Sequence, residues 1–108
     1  MSVTTSCLYE SAAVPNAETA AYTSTSVRTL LDKFTSYGVA AADVTIKLVQ
    51  SGGTAGSTHI MAKKTFAVGE SYTWPELVGH TLEPGDFISI LCSAATSVNL
   101  RISGRKVT

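Results

Sequence analysis

The residues of this chain whose types could do chemistry are two histidines, two cysteines and a short run of carboxylates. His59 and His80 are the side chains that titrate near neutrality by default. A zinc site needs further ligands at recognisable spacing, and neither an HxH nor a CxxC pattern occurs. His80, which follows Gly79 and stands near Glu76 and Glu83 in sequence, reads as a surface or turn-capping residue. Cys92 ends an apolar run, the wrong setting for a reactive thiolate, and reads as a small packed hydrophobe. A bridge from Cys7 to Cys92 stays open as an alternative, because chain ends often lie close together. Glu70, Glu76, Glu83 and Asp86 could in principle supply paired acids for glycoside hydrolysis or oxygen ligands for calcium. They fall, however, in turns that flank strands, where acids are ordinary. No G-x-S-x-G elbow marks a serine nucleophile. The glycine-rich Ser51–Ser57 lacks the Gly-Lys-Ser/Thr ending of a phosphate loop and precedes another strand pattern, so it reads as a hairpin tip. These patterns predict no catalytic residue, no cofactor and no metal.

The elements that must position these residues centre on ESYTWPELVGHTLEPGDFISILCSA, residues 70–94. Tyr72 and Trp74 are two apart and share one face of a short strand, which Pro75 ends by withholding a backbone donor. Aromatics so placed are more often core or interface anchors than a sugar platform. Glu76 to Gly79 allows one helical turn, with Gly79 free to take a positive φ. Glu83-Pro84-Gly85-Asp86 carries the signature of a type II turn, and Phe87 to Cys92 follows as a strand covered on both sides.

Elsewhere the same alternation recurs. Residues 2–9 read as a first strand or an extended arm, and Glu10 to Ala17 as a turn. Ala20 to Ser24 and Val27 to Thr35 follow as strands. In the second of these the parity is mixed: Leu30 and Phe34 share a face with Asp32, and Val27 and Leu31 share the other with Lys33. That implies partial cover on both faces and a partner such as Arg28 or Lys33 for Asp32. Val44, Ile46 and Leu48 point inward, with Thr45 and Lys47 outward. Ile60, Ala62 and Phe66 line one face of the next strand, and residues 98–103 alternate without error. Strands at such intervals, with no helical period, predict an all-β fold: an antiparallel β-sandwich of jelly-roll or Greek-key type with about eight strands. Residues 1–26 form the N-terminal strand or arm region and 27–108 the body of one domain.

Charged residues make up 15% of the 108-residue chain, against the ~25% of an average domain. Ser, Thr, Ala and Gly take their place, giving a polar surface that costs little to desolvate against a partner. Eight acids balance eight bases, which argues against a nucleic-acid partner and removes the self-repulsion that keeps chains apart. No apolar run approaches membrane-spanning length, and no secretory h-region opens the sequence. The expectation is a protein made in a cytoplasm with no membrane partner.

RTLLDKFTSYG, LVQSGGTAG, GESYTWPELVGHTLEPGDFIS and RISGRKVT, all within residues 27–108, resemble a family of small structural proteins encoded by tailed bacteriophages. Lys106 departs from the family's ending, where an acid is expected. The resemblance implies a virion protein similar to capsid decoration, or cement, proteins, which bind the outside of the shell where major capsid subunits meet. It implies the major capsid protein as partner and the capsid surface as location. Two alternatives stand beside it: a neck, tail or fibre-associated virion protein, and a carbohydrate-binding module that would need Tyr72 and Trp74 exposed. Self-association as a dimer or trimer is expected from neutrality and exposed strand edges. The candidate partner contacts are Val3, Leu8 and Tyr9, on an arm that orders on the particle, with Trp74 and His80 of the corner.

Overall fold

A computed structural model describes residues 2–108. The period-2 patterns become nine strands: β1 (Val3–Ala13), β2 (Thr19–Thr23), β3 (Arg28–Gly38), β4 (Ala42–Val49), β5 (Ile60–Phe66), β6 (Ser71–Tyr72), β7 (Thr81–Leu82), β8 (Phe87–Cys92) and β9 (Val98–Val107). Two antiparallel sheets result. One has the order β1-β9-β3-β6, with β7 also on β3, and the other the order β2-β8-β4-β5. The pairs β3–β6 and β3–β7 lie at opposite ends of β3, so β6 and β7 share one lane that a 3-10 turn at Pro75–Leu77 interrupts. The all-β antiparallel sandwich is as expected; counted by lanes, eight strands cross between the sheets in the order of a jelly roll, one of the two types expected.

The two inner faces meet in one core that includes Leu31, Phe34, Ile46, Phe66, Trp74, Ile88, Ile90 and Ile102, each 1% exposed or less. Burial of each such side chain contributes about 1.5–3 kcal/mol. Val44 and Ile46 are buried and Leu48 packs against the same cluster, as the alternation of β4 requires.

The mixed parity of β3 has a different cause from the one expected. Leu31 pairs with Gly104 and Lys33 with Ser103, so the register slips at Asp32. A bulge moves the inward set from Leu31 before it to Phe34 and Ser36 after it. Asp32 is consequently turned to the outer face, where Arg105 grips it with Nε and Nη2 at 3.0–3.1 Å, rather than Arg28 or Lys33.

In the N-terminal segment the strand reading holds and the arm reading does not: residues 3–13 form an edge strand paired with β9 from Val3↔Val107 to Ala13↔Asn99, longer than expected. The turn expected at Glu10 shrinks to the link before β2. Long-range pairing overrides the weak β propensity of Glu10, Ala12 and Ala13, and two register slips absorb Leu8 and the Glu10–Ser11 pair.

Candidate functional site

The corner within residues 70–94 holds two of the candidate partner contacts, Trp74 and His80, and its buried side chains close the sandwich. Trp74 sits just before Pro75 in the left-handed region, φ 48° and ψ 58°. A non-glycine residue held there costs on the order of 1–3 kcal/mol, which the surrounding packing must offset. That conformation directs the indole inward: it is 0% exposed, its centroid is 5.9 Å from Phe66 and 5.2 Å from Tyr72, and Nε1 donates to Ser36 Oγ at 2.7 Å. Trp74 is therefore a core residue. As a direct partner contact or a sugar platform it would need an open ring face, which this fold does not give it.

Each carboxylate of the corner has its own partner. Glu70 takes Lys64 Nζ at 2.8 Å and the Ala67 N–H at 2.9 Å, and these two bonds, Lys64 first, hold its carboxyl below the ordinary range. Glu76 accepts the Tyr72 hydroxyl at 2.7 Å, and that bond pushes the phenol above its ordinary value. Glu83 meets Arg28 at 3.2 Å. Asp86 uses both oxygens on backbone, accepting the Ser51 N–H at 2.9 Å and the Glu83 N–H at 3.0 Å. It thereby ties the type II turn to the β4–β5 hairpin tip. Gly85 holds φ 94°, and a Cβ there would strike Ser51. Among the described residues, no three His, Cys, Asp or Glu side chains converge as a metal cage would require.

His59 braces the hairpin. Its Nδ1 accepts the Gly56 N–H at 3.1 Å, which leaves Nε2 to donate to Gln50 Oε1 at 2.9 Å. His80 is exposed on the corner, and its carbonyl accepts the Leu31 N–H at 2.9 Å. Val3 is 55% exposed, Leu8 is 8% exposed in the core, and Tyr9 is half-buried with its hydroxyl on the Ala13 carbonyl. Thus Val3 and His80 remain surface candidates, whereas Leu8 and Trp74 are interior. The two cysteines are free thiols: Cys92 is buried, and Cys7 lies half-buried on the outer face of the β1-β9-β3 sheet. There it lines a shallow depression of about 320 Å³ with Arg101, Ser103 and Asp32.

One polar cluster carries no motif in the sequence. Lys47 of β4, 9% exposed, contacts Glu18, whose other oxygen accepts the Ser89 hydroxyl of β8 at 2.7 Å. Burial pushes the Glu18 carboxyl up, but the hydrogen bonds from Lys47 and Ser89 and the Lys47 charge outweigh it, leaving a net lowering. The available signal was the single lysine inside the otherwise uncharged VTIKLV. The cluster pins the segment before β2 onto β4 and β8, so its role is positional.

No protein-family model and no curated protein matches the chain. A solved structure of Bacillus endospore appendages, described as disulfide-linked pili, is similar over 98% of this chain and 88% of its own, with a TM-score of 0.53 and 14% identity. The likeness is one of fold. No helix among the described residues is long and apolar enough to cross a membrane.

Proposed function

We propose that this chain is a non-enzymatic structural subunit of a bacteriophage virion, a decoration protein that binds major capsid subunits where they meet. The observation that carries this reading is how the family-like residues are used. Trp74, Gly85 and Asp86 of the GESYTWPELVGHTLEPGDFIS stretch close and brace a jelly roll, and the stretch offers a building block rather than a reactive cleft. A neutral surface low in charge suits burial against a partner at small desolvation cost. The action is binding alone: a ligand selective for the mature shell stabilises it by RT ln(1 + [L]/Kd), about 2.7 kcal/mol per site at a hundredfold excess. The test is to add purified protein to shells that lack it and follow co-sedimentation and thermal DNA release. Saturable binding with later DNA release is expected. Shells that neither bind the protein nor gain stability would overturn the reading.

A second reading, a filament subunit, draws on the fold shared with the appendage pili. Were its links also disulfides, Cys7 is the thiol placed to make them, since Cys92 is only 1% exposed. Ladders of covalent oligomers under oxidation, lost in Cys7→Ser, would favour the filament. A single band at the mass of one chain would remove it.

A further inference from the structure

Each sheet of an open sandwich leaves two edges whose unpaired backbone groups can capture another strand, and natural sheets blunt them. Three of the four edges here are blunted. The β6/β7 lane offers two residues at each end. The five residues of β2 carry a register slip between Ala20 and Tyr22. β5 carries Lys63 and Lys64 side by side and faces a slip in its own pairing. The far half of β1 is interrupted by two slips and bears Glu10. Its near half, Val3-Thr4-Thr5-Ser6-Cys7, has none of these devices: it pairs with Val107 to Ser103 in unbroken register, without a charge or a proline.

The ladder also fixes which groups are free. Ser2 and Thr108 exchange both backbone bonds, at 3.1 and 2.9 Å, so they are a hydrogen-bonded pair. Pairs alternate in an antiparallel ladder, which makes Thr4–Lys106 and Ser6–Gly104 hydrogen-bonded, and Val3–Val107, Thr5–Arg105 and Cys7–Ser103 not. Val3, Thr5 and Cys7 therefore aim their N–H and C=O groups away from β9, at the open edge. The free groups are evenly spaced about Thr5.

We propose that this edge is a self-association site, in which Val3–Cys7 of two copies pair antiparallel about a two-fold axis through Thr5. Thr5 meets the partner's Thr5, and Val3 meets the partner's Cys7 twice, so every free donor and acceptor of the segment finds a partner. Cross-strand neighbours are then Thr with Thr, Val with Cys and Thr4 with Ser6, all uncharged. Thr pairs and small apolar pairs are favourable in that arrangement, and no like charges face each other. The two β1-β9-β3 sheets become one continuous sheet across the dimer. An isologous contact of this kind closes on itself, so it gives dimers and not rings. It concerns the free chain and stands whether or not the decoration reading does.

The experiment is sedimentation of the full chain with two variants. Thr5→Pro removes one outward N–H and leaves the bonds to β9 in place, since proline is tolerated where an edge N–H faces solvent. The wild type is expected at twice 11.3 kDa, and Thr5→Pro at 11.3 kDa with a cooperative melt. Thr5→Cys in a Cys7→Ser, Cys92→Ser background is the second variant. Hydrogen-bonded cross-strand pairs have Cα atoms about 5.5 Å apart, within disulfide reach, so oxidation should give a covalent dimer. Val68→Cys in the same background, 73% exposed elsewhere on the surface, should stay uncrosslinked. Should Thr5→Pro fail to fold, the cysteine pair decides. A monomeric wild type, a ring, or a Thr5→Cys chain that crosslinks no faster than Val68→Cys overturns the proposal.

Discussion

Replacing Trp74 tests whether the corner is architecture or surface. The indole is fully buried, so Trp74→Ala loses its transfer energy and leaves a cavity, at about 3–5 kcal/mol. For a domain of this size each kcal/mol moves the melting temperature by roughly 5 °C, giving a fall on the order of 15–25 °C. Trp74→Phe keeps most of the ring and separates out the hydrogen bond. It strands the hydroxyl of Ser36, which is 2% exposed and 2.7 Å from Nε1. An unpaired buried polar group costs about 1–3 kcal/mol, whereas removal of both partners is nearly neutral for that interaction. Ser36→Ala placed on Trp74→Phe should therefore recover about 1 kcal/mol, and a double-mutant cycle of thermal or urea melts reads that coupling directly. Melting temperatures unchanged by Trp74→Ala, with partner binding lost, would show that the ring is a surface anchor and refute the reasoning.

Gly85→Val should cost about 1–3 kcal/mol, because φ 94° disfavours a side chain and Ser51 fills the space; an unchanged melt would contradict it. Deletion of residues 2–9 removes much of an edge strand and the buried Leu8, so circular dichroism should report loss of the cooperative fold and not a trimmed arm on an intact body. Glu18 is held below its ordinary carboxylate value in the fold. Its contribution is complete above that ordinary value and is lost as pH falls through the lowered one. Glu18→Gln should accordingly flatten part of the acid limb of a stability–pH curve, and an acid limb identical to wild type would rule out this linkage.

Sequence and structure agree where local chemistry decides the outcome. Gly85 and Pro84 are the residues a type II turn demands, and Pro75 and Gly79 bracket a single turn for the same kind of reason. Strict alternation in 44–48 and 98–103 likewise left one choice of face. Disagreement falls where a distant partner decides. Nothing local marks Asp32 as a bulge, since the slip exists only relative to Gly104 and Ser103 on β9. Residues 2–9 read equally as a strand or an arm, and Glu10 to Ala13 as part of a turn, because their small polar residues have little intrinsic preference; pairing with β9 decides for the strand. Glu18 lies 29 positions from Lys47 and 71 from Ser89, so that cluster is created by topology. The inward swing of Trp74 depends on a left-handed backbone that no tryptophan announces.

The central claim, a decoration subunit of a virion, predicts a stoichiometry. Absolute copy number in purified particles, by quantitative gel against the major capsid protein, measures it most directly. The account predicts copies in proportion to capsid subunits, hundreds per particle. A dozen or fewer would move the protein to the neck or tail, and its absence from particles would contradict the claim.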